Sequence, residues 1–267
     1  MLAYILRRVF QSIIVLLVVG LVAFSMFRFV GDPIEQLLGQ ERTQADVERL
    51  REALGLNDAF VVQYLNFLGR ALQGDFGISY RQSRPVADII AERLPATLEL
   101  ALISGMLAVG LGIALGVFTA IRRDGVAANI IMSTSLIGVS LPTFLIGILL
   151  IYLFGVQLRW LPTFGRGDVV DLGWWTTGLL TESGLKSLIL PSITLGLYQM
   201  TLIMRLVRSE MLEVLRQDYI RFAHARGLKE RVVNFRHALK NTMVPVVTVI
   251  GLQIGAIIAF AIITETV

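Results

Sequence analysis

The chain has 267 residues, 55% of them apolar and 16% charged, with 24 Lys and Arg against 20 Asp and Glu. Water-soluble domains carry about a quarter charged residues, so this composition excludes an ordinary cytosolic enzyme, and a net charge of only +4 points to no nucleic-acid partner. The absence of cysteine and the presence of only two histidines, His224 and His237, exclude disulfides, thiolate metal sites, cysteine nucleophiles and a histidine-rich metal cluster.

The missing charge is concentrated in long uncharged runs, as expected of an all-α, polytopic membrane helix bundle. A helix needs about 20 apolar residues to cross the hydrocarbon core, because lipid satisfies no exposed backbone group. Val9 to Phe27 is 19 uncharged residues, 13 of them Leu, Ile, Val or Phe, contributing about −6 kcal/mol towards insertion. Arg7 and Arg8 precede this run as they would a signal peptide. The run is longer than such an apolar region and no A-x-A cleavage site follows, so an uncleaved first span is expected within residues 1–30.

Residues 31–93 then read as an external helical cap with three amphipathic stretches. Thr43 and Asp46 open the first, with Val47, Leu50 and Leu54 at helical spacing and Gly55 as its stop. Val61, Tyr64, Leu65, Leu68 and Leu72 form one face of the second, ahead of Gly74, and Pro85 opens a third with Val86, Ile89 and Ile90. The cap either covers the pore mouth or docks an external partner.

Residues 94–267 are the expected core. Leu100 to Ile121 is uncharged over 22 residues, predicting a span near 98–121. Gly125 to Leu158 is uncharged over 34, predicting a span near 130–156 kinked at Pro142, which has no backbone donor. Ser187 to Met204 (18 residues) and Asn241 to Thr264 (24) predict spans near 187–207 and 241–264. Between these last two, residues 208–240 read as two short helices. Asp218 caps the first, which has Tyr219, Phe222 and Ala223 on one side and ends at Gly227; the second, about 229–240, breaks from the last span near Pro245.

Lysine and arginine bias sets the orientation. Arg7 and Arg8, Arg122 and Arg123, and the nine basic residues of 205–240 against four acids belong on the cytoplasmic side. Residues 31–93, with seven basic and ten acidic residues, and 159–186, with three of each, belong outside. The N-terminus is then cytoplasmic. The basic segment 205–240 could lie on anionic lipid, but its mixed charge and the small residues Ala223, Ala225 and Gly227 suit a protein docking surface.

The chain has no Gly-x4-Gly-Lys-[Ser/Thr] phosphate loop, so it is expected to bind no ATP and no cofactor itself. A proton- or sodium-coupled carrier places ionisable groups in mid-membrane, whereas Glu99, at the edge of the second span, is the nearest carboxylate here. No metalloprotease helix, nucleophile elbow or complete dinucleotide fingerprint occurs, so neither catalytic nor metal residues are assigned. In the fourth span Ser187, Pro191, Thr194, Tyr198, Thr201 and Arg205 share a narrow wedge. The hydroxyls of Ser187, Thr194, Tyr198 and Thr201 either line a translocation path or bond between helices. Thr248, Gly251, Gly255 and Ala259, and likewise Gly112 and Gly116, read as helix-packing stripes.

The run Asp218-Tyr219-Ile220-Arg221, Ala223, Ala225, Gly227-Leu228, Arg236-His237-Ala238, Asn241 and Pro245 resembles the cytoplasmic loop of ABC-importer permeases of the dipeptide, oligopeptide, nickel and glutathione branch. Gly31-Asp32-Pro33, Leu54-Gly55-Leu56, Gly74-Asp75-Phe76-Gly77, Trp160-Leu161-Pro162, Thr248 to Gln253 and Glu265-Thr266-Val267 agree along nearly the whole chain. The resemblance implies a type I importer permease, a multi-pass protein of the bacterial inner membrane that forms half of a path for peptides or a related small solute. Its implied partners are a homologous second permease, an external substrate-binding protein and two cytoplasmic ATPase subunits that hold ATP and Mg. It implies that Asp218, Tyr219, Arg221, Phe222, Ala223, Ala225, Arg226 and Gly227 form the ATPase-docking loop, and that a sixth span follows Val267. The alternative is a stand-alone secondary carrier or channel.

Overall fold

The structure, a computed structural model, describes residues 2–29, 48, 51, 56–79, 82 and 84–264. The expected helix from Thr43 to Gly55 lies outside the described residues apart from Glu48 and Arg51, as do Gly31-Asp32-Pro33 and Glu265-Thr266-Val267. The chain divides into two compact units, Met1–Glu92 and Arg93–Val267.

In the first unit α1 (Leu2–Phe29) is mainly apolar beyond Arg7 and Arg8. α2 (Phe60–Ala71) meets it through Phe60, Tyr64 and Phe67, whose rings lie 5.4–5.8 Å from that of Phe24. The Tyr64 hydroxyl donates to the Leu17 carbonyl at 2.6 Å. The inward face of α2 is therefore aromatic, and Val61, Leu65 and Leu72 of the predicted face point outward. A hairpin of β1 (Ile78–Ser79) and β2 (Arg84–Pro85) follows. The third predicted cap helix is no separate element, because Val86, Ile89 and Ile90 begin α3 (Val86–Ile121), which runs unbroken through Pro95 for 36 residues.

The second unit is built around α6 (Glu182–Val214), which contacts helices on three sides. Gly112 and Gly116 of α3 lie against Met200, Ile203, Met204 and Val207, and Gly196 of α6 lies against Ser104. α4 (Val126–Ser140) meets α6 where Gly138 touches Leu197 and Thr201, and α5 (Thr143–Leu150) meets it where Gly147 touches Thr194. α9 (Leu239–Thr264) covers the third side, with Ile257 and Ala261 packed on Leu195, Leu100 and Ala101. Lipid tails are as apolar as leucine, so helices in a membrane associate by van der Waals contact, which glycine permits by bringing backbones close.

The span predicted near 130–156 is in fact two helices whose axes meet at 105° across Leu141 and Pro142. α5 continues as a π-helix, Ile151–Gln157. The connection from the π-helix to α6 carries β3 (Val170–Asp171) paired with β4 (Thr176–Thr177). α7 (Asp218–Ala225) and α8 (Glu230–Val232) form the loop after α6, and α8 passes through a π turn, Val233–Ala238, into α9. The break predicted near Pro245 is absent, since that proline lies inside α9. Among the described residues four helices are long and apolar enough to cross a membrane, and the bent pair makes a fifth if it is one span.

Candidate functional site

The loop around Gly227 is a preorganised turn. Ile220 and Ala223 of α7 are buried beside Val233 and Ala238, in one core with Val207 and Met211 of α6. Gly227 N–H donates to the His224 carbonyl at 2.8 Å and Leu228 N–H to the Ala223 carbonyl at 3.3 Å, a helix end closed by a left-handed residue. Gly227 has φ +72°, a conformation that strains any L side chain. The His224 Nε2 and Glu230 Oε1 stand 3.0 Å apart across the turn, and Asn241 Nδ2 of α9 donates to the Tyr219 hydroxyl at 2.8 Å.

The side chains expected to dock a partner divide by face. Asp218 is the first helical residue, with Gln217 at the cap position, and its carboxylate faces Arg221 at 3.5 Å instead of capping the helix. Phe222 does not share the buried side of Ala223; it is exposed, with the Arg226 guanidinium 5.8 Å from its ring centre. Arg221, Ala225, Arg226 and Gly227 are also exposed. The outcome is a buried inner face and an outer face bearing the exposed rings of Tyr219 and Phe222 among mixed charges.

The hydroxyl stripe of α6 is likewise divided. Thr194 and Thr201 are buried: Thr194 donates to the Leu190 carbonyl at 2.8 Å, and Thr201 donates to the Leu197 carbonyl at 3.0 Å and reaches Ser135 of α4 at 3.4 Å. Ser187 is half-buried and donates to the Ser183 carbonyl at 2.9 Å, and Tyr198 is half-buried. On α9, Thr248, Gly251, Gly255 and Ala259 face away from the chain's own described helices, and a Cβ on either glycine would meet nothing within 4 Å.

Glu99 was legible only as a charge at the edge of a span; the structure makes it an anchor. Its side chain is 4% exposed. Oε1 accepts from the Trp175 indole at 3.2 Å, and Oε2 accepts from Gly178 N–H at 3.2 Å and Arg166 Nη2 at 3.4 Å. Thr177 supplies a further side-chain hydrogen bond. Arg166 also donates to the Thr176 hydroxyl at 3.0 Å and the Thr176 carbonyl at 2.7 Å, so the carboxylate holds the β3–β4 hairpin against the N-terminal half of α3. Nearby, Thr181 caps α6 by accepting from Gly184 N–H at 3.1 Å, and Ser183 donates to Asp168 at 2.6 Å. All the donors to Glu99 lie 67–79 residues away in sequence, so no local pattern announces them.

Two family models match the chain. The model for the binding-protein-dependent transport system inner membrane component matches residues 112–267, and that for the N-terminal part of such membrane components matches residues 1–101. The dipeptide transport system permease protein DppB of Alkalihalophilus pseudofirmus is 38% identical over 280 residues, covering 100% of this chain and 84% of that protein. The oligopeptide transport system permease protein AppB of Bacillus subtilis is 41% identical over 267 residues, covering 99% and 83%. The di/tripeptide transport system permease protein DppB of Pseudomonas aeruginosa is 39% identical over 282 residues, covering 100% and 84%. The chain belongs to the family of binding-protein-dependent transport system inner membrane components.

Proposed function

We propose that this chain is one of two permease subunits of an ATP-driven importer for dipeptides or oligopeptides, with the Gly227 turn in the cytoplasm and the Glu99 end outside. The observation that carries it is the Gly227 turn itself, a folded knob whose inner face is core and whose outer face is exposed. Such a turn receives force from another protein and passes it along α8 and α9. Two ATPase subunits holding ATP and Mg would press on Asp218 to Gly227, an external binding protein would deliver the peptide, and a homologous permease would cover the outward stripe from Thr248 to Ala259. The similar permeases of peptide systems support the substrate class. A stand-alone proton-coupled carrier is disfavoured, because the membrane-edge carboxylate, Glu99, is saturated by donors and holds a hairpin.

The test is purification from native membranes followed by reconstitution. The chain should bring down an ATP-hydrolysing partner, and the complete assembly should accumulate peptide only with ATP. Accumulation by vesicles holding this chain alone would overturn the reading. Within the assembly, Gly227→Arg should leave the protein inserted while hydrolysis continues without uptake. A side chain held at φ +72° strains the turn, by about 1–2 kcal/mol, and it stands on the docking face. Normal uptake would remove the turn from coupling. In the same scheme Tyr198, half-buried like Ser187, faces the path. A bulky thiol adduct on Tyr198→Cys should therefore block uptake, and unchanged uptake would return Tyr198 to helix packing.

A further inference from the structure

The bend between α4 and α5 lies level with the middle of the uncharged part of α6. Gly138, just before it, touches Leu197 and Thr201 of α6, and Gly147, just after it, touches Thr194. The uncharged part of α6, Ser187 to Met204, has its midpoint between Leu195 and Gly196. The 15 residues of α4 extend about 22 Å at 1.5 Å per residue, short of a hydrocarbon core about 30 Å thick.

At this depth the backbone ladder is interrupted. Leu141 N–H closes α4 onto the Ile137 carbonyl at 3.1 Å, and the next bonds run from Leu145 and Ile146 N–H to the Pro142 carbonyl at 3.0 and 3.2 Å. Pro142 has no N–H for the Gly138 carbonyl, and the N–H groups of Thr143 and Phe144 head a new helix, where no intrahelical acceptor exists. Val139, Ser140 and Pro142 are exposed, so the described helices leave the break uncovered. Irregular backbone does not face lipid in the hydrocarbon region; it is found against protein or lining a water-filled cavity. The residues from Gly125 to Leu158 bear no charge, so the break offers neutral carbonyl acceptors, N–H donors and the Ser140 hydroxyl together, a set that complements the amides of a peptide main chain and selects no particular side chain.

We infer that the break from Ser140 to Thr143 lines the water-filled passage of the importer and gives its free backbone groups to the main-chain amides of the peptide in transit. This rests on the importer reading above and places the passage on the exposed side of the α4–α5 bend, opposite the side on which Gly138 and Gly147 meet Thr201 and Thr194.

The chain has no cysteine, so Ser140→Cys is its single thiol. In the complete importer in proteoliposomes, a membrane-impermeant cationic methanethiosulfonate should label Ser140→Cys, and an excess of transported peptide with its binding protein should slow that labelling. Ile148→Cys, on the exposed apolar face of α5, should resist the aqueous reagent and accept a lipid-soluble maleimide. The Ser140→Cys adduct should abolish uptake. If that variant fails to assemble, Val139→Cys is read in its place. The inference is overturned if the thiol reacts only with the lipid-soluble reagent in every nucleotide state, if neither reagent reaches it because another subunit covers it, or if peptide leaves its labelling unchanged. Uptake by the unlabelled complex tests the importer reading separately, and aqueous access to the thiol is scored whether or not peptide accumulates.

Discussion

Replacing Glu99 with leucine is expected to release the β3–β4 hairpin and destabilise the protein by about 3 kcal/mol, the lower part of the range for removing one partner of a buried ion pair. The loss is large because the burial stays while the acceptor goes: the Trp175 indole, Gly178 N–H and the Arg166 guanidinium all lose their common carboxylate. It falls at the lower end because Arg166 keeps Thr176 and is not fully buried. Trp160, Trp174 and Trp175, the only tryptophans of the sequence, all lie in the connection from the π-helix to α6, so emission contributed by this chain reports on it directly. Emission should shift to the red and thermal unfolding should come earlier. Glu99→Gln should fall between, since it keeps one acceptor oxygen and presents an amide N–H₂ to the remaining donors. Glu99→Leu combined with Arg166→Leu should recover part of the loss, because removing both partners leaves no orphaned charge. Wild-type emission and stability in Glu99→Leu would show that the carboxylate does not hold the hairpin.

What could be read in advance followed from local chemistry, and what could not followed from distance. The uncharged runs located the spanning helices because exclusion of charge from lipid acts residue by residue. The prolines were less legible. Pro95, Pro191 and Pro245 sit inside continuous helices, whereas Pro142 separates two helices at 105°. Each removes one backbone donor, so the local rule is the same for all four. The difference is visible at Leu141, which takes φ −91° and ψ 138°, the extended region that a following proline favours. Tertiary packing decides whether that preference is overridden. Helical spacing likewise put Thr194, Tyr198 and Thr201 on one face and Thr248, Gly251, Gly255 and Ala259 on another, but a face has no named partner in the sequence. The first stripe proved largely buried against α4 and α5 and the second turned outward. On α7 the short helix placed Tyr219, Phe222 and Ala223 close together, and burial separated Ala223 from Phe222.

The seam between α3 and α6 sets up the second large effect. A Cβ on Gly116 would stand 2.7 Å from the Met204 carbonyl oxygen and 2.7 Å from Val207 Cβ. Neither neighbour is the free end of a flexible chain, so a side chain there must drive the two helices apart along a core that includes Ala108, Val117, Ile203 and Val207. Gly116→Val is expected to lose about 1–3 kcal/mol, the usual effect of forcing extra methyl groups into a packed interior. Separation also weakens the contacts through which α6 meets α7, so uptake should fall together with stability. Gly110 supplies the control on the same helix: a Cβ there would meet nothing within 4 Å. Gly110→Val carries the same propensity change and the same added volume without the clash. Thermal unfolding of the two variants in one detergent separates the causes. A drop confined to Gly116→Val assigns the effect to the seam. Equal drops would make it a property of glycine in a helix, and the close approach of α3 and α6 would then have no energetic weight.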